Sequence, residues 1–389
     1  MDAQSSQLTA GQAVPARGMR ALLDARKLGD GGIGVYIENL AHGLSEAGGV
    51  EVTLLVRPGA EESATSLGPC SFIVDSSPCY SLDELFRLGR RIDWSRYDVF
   101  HTPHYVLPFG VKIPSVVTVH DLIHVEQPER PFYPLIAKRL ICSSVGRAHA
   151  TIAVSVATRQ GVLGLTRARE EKVFHVPNAI AASLKPSSPA LHLPAELQGV
   201  GSFFLSVFSN LKPHKALEDL LEAYGDFKSR GLWRQLSATC PRLVLAGYGV
   251  EGLSGRPNVL KRIEELGDCV VLGAVTRDEL AALYAKAAAI VVASRTEGFC
   301  LPALEAQSLG TPVVCRPIPA LQELVTERDV VAEDMSIPAL RDALRRGLES
   351  SPKHGRTPIH KHLELYSPKR TAEQVKRVYE RAIAMRGER

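Results

Sequence analysis

The sequence lacks the features of a membrane-spanning or disulfide-bonded protein. No apolar run in the chain reaches the roughly 20 residues that a spanning helix needs. The 389 residues include seven cysteines, which are an odd number, lie far apart and never show CxxC spacing. They indicate neither a disulfide framework nor a thiolate zinc site, and we expect a cytoplasmic protein with reduced thiols.

Long blocks of a single charge are absent too. Lysine and arginine together number 46 and aspartate and glutamate 42, so the net charge is +4, and the two signs are interleaved along the chain. A nucleic-acid partner is not expected from this pattern. The loop LGDGGIG (28–34) is rich in glycine but lacks the GK[ST] ending of a phosphate-binding P-loop.

What the sequence does contain is an alternation of strand-like and helical runs. Segments such as VEVTLLV (50–56) and AIVVAS (289–294) are apolar and rich in valine, and helical patterns lie between such segments. This alternation predicts an α/β fold with parallel sheets covered by helices, and the length suits two domains. We predict a disordered leader at 1–18, a first domain at 19–185, a linker rich in Pro, Ala and Ser, a second domain at 195–366 and a terminal helix at 367–389.

The stretch EGFCLPALE (297–305) carries the clearest chemical signal. It follows the predicted strand 289–294 and so lies at a carboxyl end, where open α/β sheets bind ligands. Pro302 fits the first turn of a helix, and Gly310 fits the residue just past its end. The backbone N–H groups at 300–303 are therefore expected to be unpaired donors at the positive end of a helix dipole. A diphosphate is the natural ligand of such a helix start.

Two glutamates, Glu297 and Glu305, flank this expected anion site. Carboxylates repel a phosphate, so we expect the two side chains to bind neutral hydroxyl groups on either side of it. A sugar at one end and a ribose at the other satisfy that requirement.

This stretch resembles the signature of the retaining glycosyltransferases of family 4, in which Gly-Phe follows the first of two glutamates. The longer run LGAVTRDELAALYAKAAAIVVASRTEGFCLPALEAQSLGTPVV looks like the donor-domain core of that family. The runs VTVHDLIHVEQPE and HVPNAI look like landmarks of its acceptor domain. The resemblance implies a GT-B fold, in which two Rossmann-like β/α/β domains face each other across a cleft. The run HTPHYVLPF resembles bacterial mannosyltransferases of surface-polysaccharide assembly.

The resemblance also assigns roles to single residues. Glu297 would bind hydroxyls of the donor sugar, Glu305 the ribose, Lys215 the diphosphate, and His120 the transferred sugar. The candidate catalytic residues are Glu297, His120 and Lys215, and Glu323 matches a less constant acidic position of the family. The candidate donor-binding residues are Glu305, Gly298, Phe299, Cys300, Leu301, Lys212, Asn210, and Gly32 and Gly34 of the glycine loop.

The implied reaction transfers a hexose from a nucleoside-diphosphate sugar, with retention of configuration, to a saccharide or polyprenyl-linked acceptor. GDP-mannose is the favoured donor, and UDP-glucose stays open. The chain has no Asp-x-Asp motif, so neither a divalent metal nor another cofactor is expected. Peripheral contact with the inner leaflet of a membrane is a further hypothesis, and a solvated charged face is its alternative. The basic residues considered for that contact are Arg87, Arg90, Arg91, Lys138 and Arg139.

Departures from the family pattern keep other functions open. Ser209, Ala179 and Cys300 stand where the family usually has glycine, and a side chain at position 300 would narrow the sugar pocket or shift the backbone. A catalytically degenerate binding protein and a GT-B nucleotide-sugar epimerase are the alternatives to a transferase.

Two further motifs are weaker. The run GYGVEG (247–252) fits the dinucleotide pattern GxGxxG, but no clear helix is predicted after it. A zinc site on the four histidines between residues 101 and 124 is disfavoured, because they lack an HExxH motif and a cysteine partner. These histidines are His101, His104, His120 and His124.

Overall fold

The computed structural model describes residues 18–181, 192–247, 250–350 and 358–388. The predicted leader, apart from Gly18, and the central part of the predicted linker lie outside them. The described residues form two sheets in which every strand pair is parallel, and this confirms the predicted α/β class. None of the described helices is long and apolar enough to cross a membrane.

The first sheet has seven strands. They are β1 (Met19–Asp24), β2 (Val50–Val56), β3 (Ser71–Val74), β4 (Val99–Thr102), β5 (Ser115–Val119), β6 (Ala150–Ala153) and β7 (Val173–His175). Their order is β3-β2-β1-β4-β5-β6-β7, so the direction of chain progress reverses between β1 and β4. In parallel sheets such a reversal opens a crevice at the carboxyl ends of the strands.

The second sheet has six strands and the same kind of reversal, here between its third and fourth members. They are β8 (Phe203–Val207), β9 (Arg242–Ala246), β10 (Cys269–Val271), β11 (Ala289–Val292), β12 (Val313–Cys315) and β13 (Val330–Val331). Their order is β10-β9-β8-β11-β12-β13. The side chains of β11 and β12 are all buried, as expected for parallel strands with helices on both faces.

The helices cover both sheets. They are α1 (Gly31–Ala47), α2 (Glu61–Thr65), α3 (Gly89–Arg91), α4 (Ile123–Glu126), α5 (Tyr133–Arg147), α6 (Val156–Thr166), α7 (Leu217–Ser229), α8 (Pro257–Leu266), α9 (Arg277–Lys286), α10 (Leu301–Ser308), α11 (Pro319–Gln322), α12 (Ile337–Ser350), α13 (His360–Leu363) and α14 (Pro368–Ala384). We call the first sheet with its helices and α14 the first lobe, and the second sheet with its helices the second lobe.

Several elements escape prediction from the sequence. Strand β3 is a mostly exposed edge strand without apolar alternation, and β13 has two residues, so neither carries a strong pattern. Helix α8 follows the run GYGVEG, where no helix was predicted. Its signals are nevertheless present, because Pro257 occupies the first turn and Gly267 ends the helix with a φ of 69°.

The terminal helix α14 packs on the first lobe through α1 and the central strands. Its Tyr379 hydroxyl lies 2.8 Å from Nδ1 of His101 on β4, and Nε2 of His101 lies 2.7 Å from the Thr118 hydroxyl. All three side chains are buried. Since both ring nitrogens of His101 have protein partners, this histidine holds the helix to the sheet.

Ion pairs join the two lobes. Glu38 on α1 lies 2.8 Å from Arg277 at the start of α9, and Glu129 lies 2.8 Å from Lys212. Both pairs are largely accessible to solvent, so each contributes little stability by itself.

We expect His101 to make the protein sensitive to acid. Burial lowers the pKa of His101 to about 3, because the buried imidazolium loses its hydration. In the unfolded chain the pKa is about 6.5, so between these values the unfolded state binds more protons and stability falls as the pH falls. Lowering the pH from about 6.5 to about 5 should cost up to about 2 kcal/mol through this residue. Urea unfolding of the wild type and of His101→Gln across this range measures the difference.

His101→Gln should have a lower free energy of unfolding than the wild type at neutral pH. That free energy should fall less with each unit by which the pH is lowered. His42→Gln, which changes an exposed histidine on α1, is the matched control. Equal pH slopes for the wild type and His101→Gln would contradict the assignment.

Candidate active site

A cleft of about 610 Å³ lies between the lobes at the carboxyl ends of both sets of strands. Its walls are the loops that follow β1, β3, β4, β5, β6 and β7 in the first lobe and β8 and β11 in the second. The predicted residues that line it are Glu297, His120, Lys215, Glu305, Gly298, Phe299, Cys300, Leu301, Lys212, Asn210 and Gly32. Gly34 and Glu323 are the predicted residues outside this lining.

Helix α10 points its start into the cleft. Pro302 has no N–H, and the N–H of Ala303 donates to the carbonyl of Cys300 at 3.1 Å. The donors of this turn that remain for a ligand are therefore the N–H groups of Cys300 and Leu301, fewer than the sequence suggested. These two N–H groups and the positive end of the helix dipole are the features expected of an anion site.

The backbone conformation of Cys300 explains why the family usually has glycine at this position. Its φ is +80°, a left-handed conformation that glycine adopts without strain. The cysteine keeps that conformation, and its side chain is buried and packs against Ala303 and Leu304 in the core of the second lobe. Burial raises the pKa of the Cys300 thiol, so the group stays protonated and is a poor nucleophile.

Lys215 and Glu297 form an ion pair within the cleft. Lys215 ends a single 3₁₀ turn, Pro213–Lys215, and its Nζ lies 2.7 Å from Oε1 of Glu297. The Ser294 hydroxyl donates to the same oxygen at 2.6 Å. Burial alone would lower the pKa of Lys215, but the Glu297 carboxylate outweighs it and holds the pKa above the ordinary value. The ammonium is therefore charged at neutral pH.

Glu305 lies in the second turn of α10 and is buried. Its Oε2 accepts a hydrogen bond from the Tyr284 hydroxyl at 2.8 Å, which leaves Oε1 for a ligand. Burial raises the pKa of Glu305, although the bond from Tyr284 opposes the rise. The side chain is oriented by a partner that the sequence did not reveal, because Tyr284 lies 21 positions earlier on α9.

The lobes are in close backbone contact at Gly298. A Cβ at this position would lie 1.9 Å from the carbonyl oxygen of His120, so no side chain fits there. The Thr158 hydroxyl lies 3.3 Å from the Gly298 carbonyl and 3.4 Å from that of His120. The loop before α10 is thus in direct backbone contact with the first lobe.

His120 is held in one tautomer. Its Nε2 lies 3.0 Å from the carbonyl of Pro103, and since a carbonyl only accepts, Nε2 carries the proton. The ring packs edge-on against Tyr36 at a centroid distance of 4.9 Å. Burial lowers the pKa of His120 to about 4, so the imidazole is neutral at physiological pH.

The remaining predicted residues take different positions. A Cβ on Gly32 would lie 3.9 Å from Leu301, so the glycine loop faces the start of α10 across the cleft. Gly34 packs instead against the backbone of Gly29. A Cβ on Gly34 would lie 2.8 Å from the backbone nitrogen of Gly29. The Phe299 ring packs on Tyr366, so it is anchored in the core of the second lobe.

Two further residues contact the opposite lobe. Lys212 pairs with Glu129 and lies 3.4 Å from Nε2 of His124. Glu323 does not line the cleft. It accepts a hydrogen bond from the N–H of Val156 at 3.0 Å and lies 3.1 Å from Nε2 of His175, so it joins the lobes outside the cleft.

The four histidines considered for a zinc site, His101, His104, His120 and His124, do not converge on a common point. His104 lies 2.9 Å from Glu84 in a buried cluster, whereas His101, His120 and His124 have the separate partners given above. The side chains of Cys79, Glu84 and His104 lie close enough to share a metal ion. The Arg26 guanidinium, however, lies 2.5 Å from Oε1 of Glu84, the oxygen that also faces His104. This guanidinium already balances the negative charge of the carboxylate.

Comparison with known proteins agrees with this geometry. The family model Glycosyltransferase Family 4 matches residues 30–184, and the model Glycosyl transferases group 1 matches residues 196–359. The O-antigen chain mannosyltransferase B of Escherichia coli is 28% identical over 69% of this chain and 71% of its own length. The D-inositol 3-phosphate glycosyltransferase of Frankia alni is 29% identical over 76% of this chain and 80% of its own.

Solved structures share the fold. The structure of Anabaena Alr3699/HepE in complex with UDP and glucose superposes with a TM-score of 0.71, covering 93% of this chain and 99% of the other at 18% identity. The sucrose-phosphate synthase from Thermosynechococcus elongatus gives 0.67, with 95% and 100% covered at 19% identity. The expected GT-B architecture is confirmed. The chain belongs to the glycosyltransferases that join a Family 4 domain to a glycosyl transferases group 1 domain, which establishes it as a glycosyltransferase enzyme.

Proposed function

We propose that the protein transfers a hexose from a nucleoside-diphosphate sugar, with retention of configuration, to a saccharide or polyprenyl-linked acceptor in polysaccharide or glycoconjugate biosynthesis. One observation carries the proposal. The Lys215 ammonium, the Glu297 carboxylate and the start of α10 meet in one cleft between the lobes. A diphosphate with a sugar on one side and a ribose on the other fits the charges of these groups.

The favoured donor is GDP-mannose. The relatives from Escherichia coli and Salmonella typhimurium are named as O-antigen chain mannosyltransferases. The Anabaena structure was determined in complex with UDP and glucose, which keeps a UDP-sugar open for this chain. The cleft lining does not by itself distinguish the two bases.

Lys215 and the start of α10 would stabilise the departing diphosphate. Negative charge accumulates on that group in the transition state, and fixed cationic or N–H donors are often the largest catalytic contribution. A bound diphosphate competes with Glu297 for the ammonium. Glu297 keeps its bond from Ser294 in that case and can turn its other oxygen to sugar hydroxyls.

The proposed chemistry needs no side-chain base and no divalent metal. His120 is neutral and its Nε2 proton is bonded to the carbonyl of Pro103, so we propose that it orients the sugar. An oxygen of the diphosphate would take the proton of the acceptor hydroxyl on the same face of the sugar. The ammonium and the helix dipole supply the positive charge that a metal would otherwise provide.

The departures from the family pattern are compatible with turnover. Ala179 and Ser209 do not have the positive φ that would demand glycine, and Cys300 keeps the positive φ of the turn. These residues therefore give no support to a degenerate binding protein. A panel of nucleotide sugars, assayed for transfer, epimerisation and binding in the presence and absence of EDTA, tests the donor, the reaction and the metal independence together.

Lys215→Ala and Glu297→Gln should each lower kcat/KM on the order of 10²- to 10³-fold with the donor that the panel identifies. Lys215→Ala removes the charge opposite the leaving group, and Glu297→Gln weakens both the sugar contact and the placement of Lys215. Steady-state kinetics and thermal unfolding measure activity and fold separately.

The matched control is Lys261→Ala, which removes a well-exposed lysine from α8 of the same lobe. Wild-type activity in Lys215→Ala or Glu297→Gln would exclude that residue from the proposed mechanism. Loss of activity in the control as well would point to a general effect of charge.

Gly298→Ala should lower kcat/KM by about a hundredfold, because the added methyl group must push the lobes apart at the carbonyl of His120. Separation admits water and displaces the loop that carries Glu297. Kinetics together with hydrolysis of the donor in the absence of acceptor measure the effect. Gly255→Ala is the control, since its Cβ would meet nothing within 4 Å. Unchanged kcat/KM in Gly298→Ala would show that the contact is dispensable.

We also propose that the first lobe touches an anionic membrane surface through a patch formed by Leu82, Phe86 and Phe109. Leu82 is 75% exposed, and the Phe86 and Phe109 rings are stacked at 5.5 Å on the surface. The exposed Arg87 and Arg90 flank the patch. Apolar groups that enter the headgroup region beside cations are typical of peripheral membrane proteins.

The other basic residues considered above differ in availability. Arg91 pairs with Asp75 and Asp83, whereas Lys138 and Arg139 are exposed on α5. Flotation with phosphatidylglycerol-containing vesicles should recover the wild type at low salt and much less of Phe86→Ser/Phe109→Ser. Phe72→Ser, at an exposed phenylalanine on β3, should float like the wild type. Absence of the wild type from the floated fraction would exclude the membrane contact.

A further inference from the structure

Asn178 is a buried polar side chain in the cleft whose amide oxygen has no partner. The residue is 5% exposed and lines the cleft from the first lobe, two residues after Val176. Its Oδ1 makes no hydrogen bond. Buried acceptors are normally satisfied, because leaving one unpaired costs the desolvation of that group. An orphaned acceptor that lines a cleft is best explained by a ligand that donates to it.

The backbone around Asn178 is fixed from three sides. The Thr371 hydroxyl of α14 donates to the carbonyl of Pro177 at 3.2 Å, and the Asn39 amide of α1 donates to that of Ala179 at 3.0 Å. The N–H of Ile180 donates to the carbonyl of Tyr366 at 2.9 Å. These bonds hold the residue in place before any ligand binds, which is the condition for a precise binding group.

The position of Asn178 indicates which part of a ligand it meets. Ile180 packs on the cluster of side chains that contains Val154, Phe299 and Cys300. Val154 also lines the cleft and follows Ala153, whose carbonyl accepts a hydrogen bond from the N–H of Val176 at 3.0 Å. Asn178 therefore lies in the first-lobe wall of the cleft, beyond the ends of β6 and β7. The loop 297–300 carries Glu297 and contacts His120 through Gly298, whereas Glu305 lies further along α10. In the proposed function the sugar lies between this first-lobe wall and the Glu297 loop, and the ribose lies nearer Glu305.

We propose that Asn178 is a specificity-determining residue whose Oδ1 accepts a hydrogen bond from a hydroxyl of the transferred hexose. This inference rests on the proposed function and identifies a contact on the first-lobe side of the sugar, facing the Glu297 loop of the second lobe. An amide oxygen can only accept, so it suits a hydroxyl and disfavours an ether, a carbonyl or a phosphate oxygen at that point. A site that bonds a substrate hydroxyl strongly rejects the analogue that lacks it.

The first part of the test compares ligands with and without the hexose. Asn178→Ala should bind the free nucleoside diphosphate as the wild type does, because the lost contact is to the sugar. Its kcat/KM for the sugar nucleotide should fall about ten- to a hundredfold. Asn178→Asp keeps an oxygen acceptor of the same shape and should recover part of the loss. Asn258→Ala, at an exposed asparagine on α8, is the matched control.

The second part identifies the hydroxyl. Each monodeoxy derivative of the donor is assayed with the wild type and with Asn178→Ala. One derivative should be strongly disfavoured by the wild type and no longer disfavoured by the variant, which is the signature of a direct contact. Thermal unfolding shows whether each variant is folded, and Asn178→Asp serves as the folded variant if Asn178→Ala is not.

The outcomes separate this inference from the proposed function. If the wild type transfers a hexose and Asn178→Ala discriminates against every deoxy donor as the wild type does, the contact proposed for Asn178 is wrong. An equal loss of affinity for the free nucleoside diphosphate would overturn it as well. If the wild type binds and turns over no sugar nucleotide at all, the proposed function fails first and the inference with it.

Discussion

The contact between Gly298 and the carbonyl of His120 is the constraint on which the cleft depends. Two backbones meet there with no side chain between them, and Thr158 lies within hydrogen-bonding distance of both carbonyls. This contact fixes the distance between the loop before α10 and the end of β5. Every group proposed to bind the sugar lies on one of those two segments or on the loops beside them. The chemistry of the site is therefore set by how closely two independent sheets can approach.

Burial also shifts the pKa of three groups in the cleft, Lys215, His120 and Glu305. Lys215 stays charged because Glu297 offsets the loss of hydration, whereas His120 stays neutral because nothing comparable offsets it. The pKa of Glu305 is raised by its burial in α10. The result is a largely buried cation, Lys215, that lines the cleft together with the start of α10 and several hydrogen-bonding groups. That arrangement favours a ligand whose negative charge is concentrated in the middle and whose ends are neutral.

The sequence predicted the parts of the molecule that depend on short segments. The buried runs at β2, β5 and β11 and the turn chemistry of Pro302 were sufficient to place strands and the start of α10. The family resemblance assigned Lys215 and Glu297, which are 82 positions apart, to one site. In the structure, Nζ of Lys215 lies 2.7 Å from Oε1 of Glu297. Their proposed roles stay predictions until a ligand is bound.

What escaped prediction depends on contacts between distant segments. The bond from Tyr284 to Glu305, the unpaired oxygen of Asn178 and the exclusion of a side chain at Gly298 all arise from packing between elements. Gly298 was predicted as part of the donor-binding loop. The structure shows that glycine is needed there because the carbonyl of His120, in the other lobe, leaves no room for a side chain. Gly34 was assigned to ligand binding, and its close approach to Gly29 gives a packing reason for that glycine.

The exposed ion pairs that join the lobes have a consequence for how the enzyme responds to its medium. Glu38 with Arg277 and Glu129 with Lys212 act across the boundary between the lobes. Attraction between accessible charges weakens as the Debye length shortens, from about 30 Å at 0.01 M to about 8 Å at 0.15 M ionic strength. The attraction between the lobes at these pairs is therefore stronger in dilute buffer than in added electrolyte. We expect the contact between the lobes to depend on ionic strength separately from any effect of salt on the binding of a charged donor.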